Sequence, residues 1–253
     1  MYLTIQGLVL RVTPYNDTDA LLTVLSQKHG KLTVKARGLR RKNSPLIAPC
    51  QLLAYGEFVL FEYRDMYTVN EAHSIELFQN LRKDLQKLSL GTYFAQAAEV
   101  LSQEDMPNPE LLSLVLNCLY GLSKLNLPEE QVKAVFELRS ACLSGYTPDL
   151  HGCSSCGCPQ PDRLDITEGR LECARCRNPL SNGIRMPVSP GVLDAMRYIC
   201  NCDPKRLFAF SAPMQTLHDL ANVTESYLTA QLERGFSALD FYKSLQIPAF
   251  LQE

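Results

Sequence analysis

This 253-residue chain lacks most of the features that mark an enzyme or a membrane protein. It has no phosphate loop: GLRRKNSPL, from Gly38, is basic but lacks the G-x4-G-K-[ST] spacing that lets backbone amides cradle a phosphate. Its four histidines, His29, His73, His151 and His218, are scattered, and none has a helical partner at metal-binding spacing. His151, two residues before Cys153, is the one spare ligand candidate. No carboxylate cluster suggests metal-assisted hydrolysis. Asp17 and Asp19 come nearest, and they read as shaping the turn at residues 14–17, where Asx side chains bond their own backbone. The longest apolar stretch, residues 111–122, is broken by Ser113, Asn117 and Gly121 and is too short to span a bilayer. The opening MYLTIQGLVLRV has no basic leader and no clean apolar run, so it does not read as a signal peptide. There is no internal repeat and no low-complexity stretch. The expectation is a soluble, cytoplasmic protein, not an enzyme, in a compartment that keeps thiols reduced.

Acidic residues are missing from one place in particular. Between Asp19 and Glu57 there are none, yet Lys28, Lys31, Lys35, Arg37, Arg40, Arg41 and Lys42 all fall there. The formal net charge is only −2, so this is a local basic block in a near-neutral chain. Basic runs are usually solvated loops. Here the charges lack acidic neighbours in sequence and lie on one strand and the loop leaving it. Gly38 and the Asn43-Ser44-Pro45 turn would let that loop move along a phosphate backbone. Tyr15, Tyr55, Phe58, Tyr63 and Tyr67 lie close in sequence for base stacking, although Phe58 is expected inside. The block reads as a nucleic-acid interface carried by Lys35, Arg37, Arg40, Arg41 and Lys42.

The hydrophobic content of 46% allows a sizeable core. The first eighty residues read as β structure, with runs at 4–12, 20–26, 31–36, 58–63 and 67–72 and a break at Arg64-Asp65. Leu32, Val34 and Ala36 alternate with Lys31, Thr33 and Lys35, so one face packs inward and the other is wet. Five strands in this length suggest a small barrel. Beyond residue 80 the apolar period becomes helical: Leu90, Phe94, Ala97, Ala98 and Leu101 share one face. Asn108-Pro109-Glu110 and Pro128-Glu129-Glu130 read as helix starts, and Gly145 as a stop. Ser189-Pro190 and Asp203-Pro204 repeat the cap-then-proline pattern, and a last helix is expected over residues 215–243.

Cysteine is not dense, at ten residues, but four of them are patterned. Cys153, Cys156, Cys173 and Cys176 form C-x2-C, sixteen residues, C-x2-C, the spacing of a structural zinc ribbon. Gly, Ser, Pro, Asn and charge surround them, so no apolar run is there to bury them as small hydrophobes. That description suits Cys50, Cys118 and Cys142 instead. Cys158 is an alternative to Cys156. Cys156 makes both knuckles alike and puts Gly157 where a tight turn needs it. A site closed by four thiolates has no open position for substrate, so it organises structure.

These pieces occur in a recognisable order. G-L-V-L stands at 7–10, D-x-D at 17–19 and K-x-R-G-x-R-R-x-x-S at 35–44. F-E-L-R at 136–139, L-x-G-Y-x-P at 143–148 and C-x2-C-G from Cys153 follow. Over essentially its whole length the chain resembles the RecO family of bacterial DNA repair and recombination mediators. The resemblance implies an α+β fold: an N-terminal oligonucleotide-binding (OB) barrel, the OB-fold β-barrel, over residues 1–80, then an all-helical domain over 81–253 with a four-cysteine zinc-ribbon insertion at about 151–186. It implies binding of single- and double-stranded DNA, annealing of complementary strands, and a location at the nucleoid. It also implies partnership with RecR and with the C-terminal tail of single-stranded DNA-binding protein (SSB), whose coat is remodelled for recombinase loading. Some relatives lack the cysteines, and this chain has all four. Its second knuckle follows Glu168-Gly169-Arg170-Leu171-Glu172, where many relatives have a Gly pair. Lys133 and Arg139 are the cations singled out for the acidic SSB tail. Two other readings stand beside this one: a nuclease that uses carboxylates such as Asp17, and a zinc-ribbon scaffold that binds proteins without direct DNA binding.

Overall fold

A computed structural model describes residues 1–64, 66–176 and 183–246. Asp65, and the part of the expected ribbon at 177–182, lie outside the described residues. The chain divides into two compact units. One comprises Met1–Asn126 with the segment from Phe236, and the other comprises Leu127–Gly235.

In the first unit five strands close into a barrel: β1 (Tyr2–Pro14), β2 (Ala20–Ser26), β3 (Gly30–Ala36), β4 (Tyr55–Tyr63) and β5 (Met66–Glu76). Their order around the barrel is β1-β2-β3-β5-β4. β3 and β5 close it through a short parallel pairing, Val34 with Tyr67 and Lys35 with Thr68. This order, with one parallel closure among antiparallel neighbours, is an OB-like barrel. The long β1 serves both sides, pairing β4 along its first half and β2 along its second, with a bulge between Val9 and Arg11 where it bends. Gly7 sits at the crossover. A Cβ there would lie 2.5 Å from Val24 Cγ1 and 2.9 Å from the Leu25 carbonyl oxygen, so the close approach of the strands requires glycine. The expected alternation in β3 holds: Leu32, Val34 and Ala36 are buried, and Thr33 is exposed. Phe58, Leu22, Val24 and Leu60 fill the barrel with them.

Residues 37–54 join β3 to β4 without helix or strand. Their Leu39, Leu46 and Cys50 are buried in the barrel core, which anchors the connection. Two helices follow, α1 (Leu85–Leu101) and α2 (Pro109–Tyr120). Asp84 caps α1 by accepting from the amides of Gln86 and Lys87, and Asn108 caps α2 by accepting from Leu111. Of the face that the periodicity predicts for α1, Leu90, Phe94, Ala97 and Ala98 are buried, and Leu101 at the helix end is half-buried.

The second unit begins with α3 (Glu129–Leu143), which ends before Gly145 at φ +89°. Four short strands, β6 (Asp149–Cys153), β7 (Arg163–Asp165), β8 (Arg170–Glu172) and β9 (Arg185–Pro187), form a sheet ordered β6-β8-β7-β9. Helices α4 (Pro190–Asn201) and α5 (Met214–Gln231) pack with α3. Ser189 caps α4 as expected, whereas Asp203-Pro204 opens only a single 3-10 turn, Pro204–Arg206.

The single helix expected over 215–243 is two. α5 ends at Gln231, Glu233 takes φ +48°, and α6 (Ser237–Gln246) starts afresh within the first unit. Gly235 lies in the break. The apolar residues on both sides, Tyr227, Leu228, Phe236 and Leu239, are buried all the same, so an unbroken apolar period concealed a turn. Among the described residues, no helix is long and apolar enough to cross a membrane.

Candidate nucleic-acid interface and metal centre

The basic segment leaves β3 and runs across one end of the barrel. Arg37, Arg40, Arg41 and Lys42 are exposed, and Lys35 is half-buried. The segment is not the loose loop that Gly38 and the Asn43-Ser44-Pro45 turn suggested. The Gly38 amide donates to Asp19 Oδ1 at 2.9 Å, and the Arg40 amide donates to the Thr18 carbonyl at 2.9 Å. Arg40 Nη1 donates to the Asn16 carbonyl at 2.6 Å, and Leu39 is buried beneath. The charges are therefore presented on an organised turn.

Asp19 also corrects the picture of an acid-free block. Its Oδ2 pairs with Lys35 Nζ at 3.1 Å, and the Lys35 ammonium sits 4.6 Å above the Tyr15 ring. Sequence distance hid this neighbour, because the β2–β3 hairpin returns Lys35 opposite Leu21, next to the β1–β2 loop. The Gly38 amide, helped by Asn16, Lys35 and Thr18, holds the Asp19 carboxyl well below the usual carboxylate range. The Asx turn itself is made by Asn16, whose Oδ1 accepts from the amides of Thr18 and Asp19.

Arg37 leads into a groove. Tyr2, Phe61, Tyr63, Met66 and Thr68 line it with Arg37, around a volume of about 340 Å³. Tyr2 and Phe61 are cross-strand partners on β1 and β4, with ring centroids 5.3 Å apart. Tyr2 and Tyr63 are about 60% exposed, at 62% and 60%. Of the five aromatics near the block in sequence, Phe58 is fully buried, Tyr67 packs against the core, Tyr55 is half-buried, and Tyr15 and Tyr63 face outward. Tyr2 and Phe61 were missed. The signal was the strand parity: with Phe58 and Leu60 pointing in, Phe61 and Tyr63 must point out.

The four patterned cysteines meet. The Sγ atoms of Cys153, Cys156, Cys173 and Cys176 all lie within 4.8 Å of one another. Cys156 and Cys173 are 3.7 Å apart. A tetrahedron of about 2.3 Å metal–thiolate bonds has an edge of about 3.8 Å, so the donor set fits a metal ion. Each knuckle is a tight turn. Gly157, at φ +71°, donates its amide to the Cys153 carbonyl at 2.8 Å, and the Cys176 amide donates to the Cys173 carbonyl at 2.9 Å. Cys158 is not part of the group; its carbonyl accepts from the Cys153 amide. His151 stays outside too, with its exposed ring bonded to Asp149 at 2.9 Å. The amides of Cys156 and Ser155 draw the Cys153 thiol down to about 6, while the sulfurs of Cys156 and Cys173 push Cys176 up to about 12. Four thiolates this close oppose one another's ionisation, and a dication between them removes that penalty.

The strands behind the knuckles are cross-braced. Leu164, Ile166 and Leu171 are buried, and Arg185 Nε donates to Glu172 Oε2 at 2.7 Å. Gly169, at φ +63°, turns the β7–β8 hairpin, so one glycine is enough for the turn in this chain.

Lys133 and Arg139 do not present cations to a peptide. Lys133 is buried, pairing with Glu137 at 3.0 Å and Glu225 at 2.8 Å. Arg139 donates to the carbonyls of Ile199 and Cys200. Lys133 lies inside the second unit because α3 is covered by α4 and α5, which its short apolar stripe did not reveal, and Arg139 is half-buried with its guanidinium turned to those carbonyls.

The family described as Recombination protein O N terminal matches residues 1–78, and the one described as Recombination protein O C terminal matches residues 82–240. The chain belongs to the RecO family. Among curated relatives, the "DNA repair protein RecO" of Acetivibrio thermocellus is 34% identical over 246 residues, covering 96% of this chain and 97% of that protein. The RecO of Alkaliphilus metalliredigens is 31% identical over 248 residues, 97% of this chain and 100% of that protein. The RecO of Bacillus subtilis is 26% identical over 223 residues, 88% and 86% of the two chains. The two family matches meet between residues 78 and 82, where strands give way to helices, so the barrel corresponds to the N-terminal of the two RecO patterns.

Proposed function

We propose that this chain acts in DNA repair and recombination as a mediator that binds single- and double-stranded DNA and anneals complementary strands. In this reading it also helps load recombinase onto SSB-coated DNA. Residues 1–80 are the DNA-binding domain, and residues 81–253 the helical domain with its ribbon insertion. Arg37, Arg40, Arg41 and Lys42 hold phosphates, and Lys35 contributes when phosphate competes with Asp19. The observation that carries this reading is the groove where the exposed Arg37 stands beside Tyr2, Phe61 and Tyr63. A polyanion with stacking bases needs both parts, cations for its backbone and aromatic faces for its bases. Annealing follows from lowering the mutual repulsion of two strands on one neutralising surface. No covalent step is assigned to the chain.

Cys153, Cys156, Cys173 and Cys176 are the ligands for zinc in this reading. A zinc ion closed in by four thiolates supplies folding free energy and holds the ribbon's shape rather than a catalytic water. RecR and the C-terminal tail of SSB are the protein partners that the RecO family implies. The SSB contact falls on cations other than Lys133 and Arg139.

The test is annealing of two complementary oligonucleotides, one carrying a fluorophore and the other a quencher. The reading expects the protein to accelerate quenching at low salt and to lose the effect as salt rises. No acceleration, together with binding to an SSB tail peptide, would favour the scaffold that binds proteins alone.

A further inference from the structure

By sequence Cys142 resembles a small apolar residue of α3. In the structure its Sγ lies 3.7 Å from that of Cys200, across from the last turn of α3 to the last turn of α4. Both residues are half-buried. Arg139, one turn earlier on α3, donates from Nη1 to the carbonyl oxygens of Ile199 at 3.2 Å and Cys200 at 2.7 Å. That contact clamps the two helix ends together and sets a positive charge beside the sulfurs. A surface depression of about 480 Å³, lined by Thr147, Leu150, Arg197 and Cys200, brings solvent to the Cys200 side of the pair. The nearby Cys202 turns to the Ile199 carbonyl at 3.8 Å, which leaves Cys142 as the sulfur facing Cys200.

We infer that Cys142 and Cys200 form a reversible oxidation site, in which a peroxide converts the thiol pair into an intramolecular disulfide tying the end of α3 to the end of α4. The Cys142 thiolate attacks the O–O bond of hydrogen peroxide. An S–O bond forms, the O–O bond breaks, and the leaving hydroxide takes a proton to become water. The Cys200 sulfur then attacks the sulfenic sulfur and expels hydroxide, which takes up the Cys200 proton as a second water. Two thiols lose two electrons and one peroxide gains them.

The local chemistry sets the order of these roles. In the all-thiol state Cys142 donates to Cys200. Once ionised, Cys142 accepts from the Cys200 thiol, and with Thr147 and Arg139 this draws its pKa down to about 7. The same shared proton, together with burial, pushes Cys200 far up. Cys142 is the attacking sulfur and Cys200 the resolving one.

The placement gives the bond a consequence. The segment between these two cysteines carries all four ribbon cysteines. Closing Cys142 to Cys200 turns that segment into a loop whose two ends stay together when the ribbon thiolates are themselves attacked.

The zinc-loaded full chain is exposed to hydrogen peroxide, alkylated, digested without reduction and analysed by mass spectrometry. The expected result is a linked peptide pair joining Cys142 to Cys200, abolished by dithiothreitol and absent from the C142S and C200S variants. In C200S, dimedone is expected to label Cys142. Cys50, which burial pushes up to about 12, serves as the unreactive control. The inference is overturned if Cys142 and Cys200 are both recovered as free thiols while the ribbon cysteines oxidise, or if Cys200 is linked to Cys202. The wild-type chain alone carries this test should either variant fold poorly.

Discussion

The Asp19 carboxylate joins two parts of the barrel that are far apart in sequence: its Oδ1 accepts the Gly38 amide at 2.9 Å while its Oδ2 pairs with Lys35 at 3.1 Å. One acid thus fixes the turn that displays Arg40 and Arg41 and restrains one lysine of the basic block. Asp19→Asn keeps an oxygen for the Gly38 amide and releases Lys35. The expected outcome is tighter single-strand binding at low salt, with the salt slope steeper by about 0.7. Anisotropy across a salt series measures it, and an unchanged slope would mean that Lys35 lies off the DNA path.

The same carboxyl has a pH signature. Its pKa is depressed in the folded chain, so its contribution is complete above the unfolded value of about 3.9 and disappears only as pH falls through the lower folded value. Hydrogen exchange at the Gly38 amide is expected to remain slow at pH 4. Full exchange at that pH would show that the Asp19 anchor is not made.

Stacking and charge are separable. Tyr2→Ala and Phe61→Ala remove aromatic faces and no charge. Each is expected to cost about 1–3 kcal/mol of single-strand affinity while leaving the salt slope unchanged. Duplex binding, in which the bases are already stacked, should change less. Equal losses on both substrates would argue against a stacking role for this groove.

Cys173→Ser removes one of the four converging sulfurs. The expected outcome is a fall from about one zinc per chain to near none, with lower thermal stability of the second unit and little change in DNA binding by the barrel. A variant with full metal content and an unaltered melting curve would contradict the four-cysteine site.

Lys133 lies between two carboxylates in the interior of the second unit. Lys133→Met leaves Glu137 buried without its cation, and the expected loss is about 3–5 kcal/mol by urea unfolding at neutral pH. Burial, with Glu225 adding to it, raises Glu137 to about 6 despite Lys133. A carboxyl with a raised pKa binds its proton more tightly when folded. Its favourable contribution is therefore complete below about 4.3, the unfolded value, and declines as pH rises toward 6. Glu137→Gln is expected to flatten the stability profile across that window.

Local pattern reached the barrel strands, the caps at Asn108 and Ser189, and the two cysteine knuckles, because each is written in residues a few positions apart. The inward run Leu32, Val34, Ala36 and the turn at Gly157 are of this kind. Contacts made by folding over long separations were not legible. The distance from Asp19 to Lys35 and Gly38, from Tyr2 to Phe61, and from Cys142 to Cys200 is set by strand register and helix packing. For the same reason Lys133 looked like a surface cation. Its carboxylate at i+4 is visible in sequence, but the burial that gives the pair its meaning comes from α4 and α5.

In the proposed function DNA lies across the turn held by Asp19. This placement is tested most directly by fluorescence anisotropy of a labelled single-stranded oligonucleotide over a salt series. The wild-type chain is compared with a folded variant carrying Arg37→Glu, Arg40→Glu, Arg41→Glu and Lys42→Glu. Tight, salt-steep binding by the wild type and its loss in the variant are expected, with each phosphate contact contributing a slope of about 0.7. Equal affinity and slope in the two proteins would contradict the placement and move the polyanion site to the helices or the ribbon.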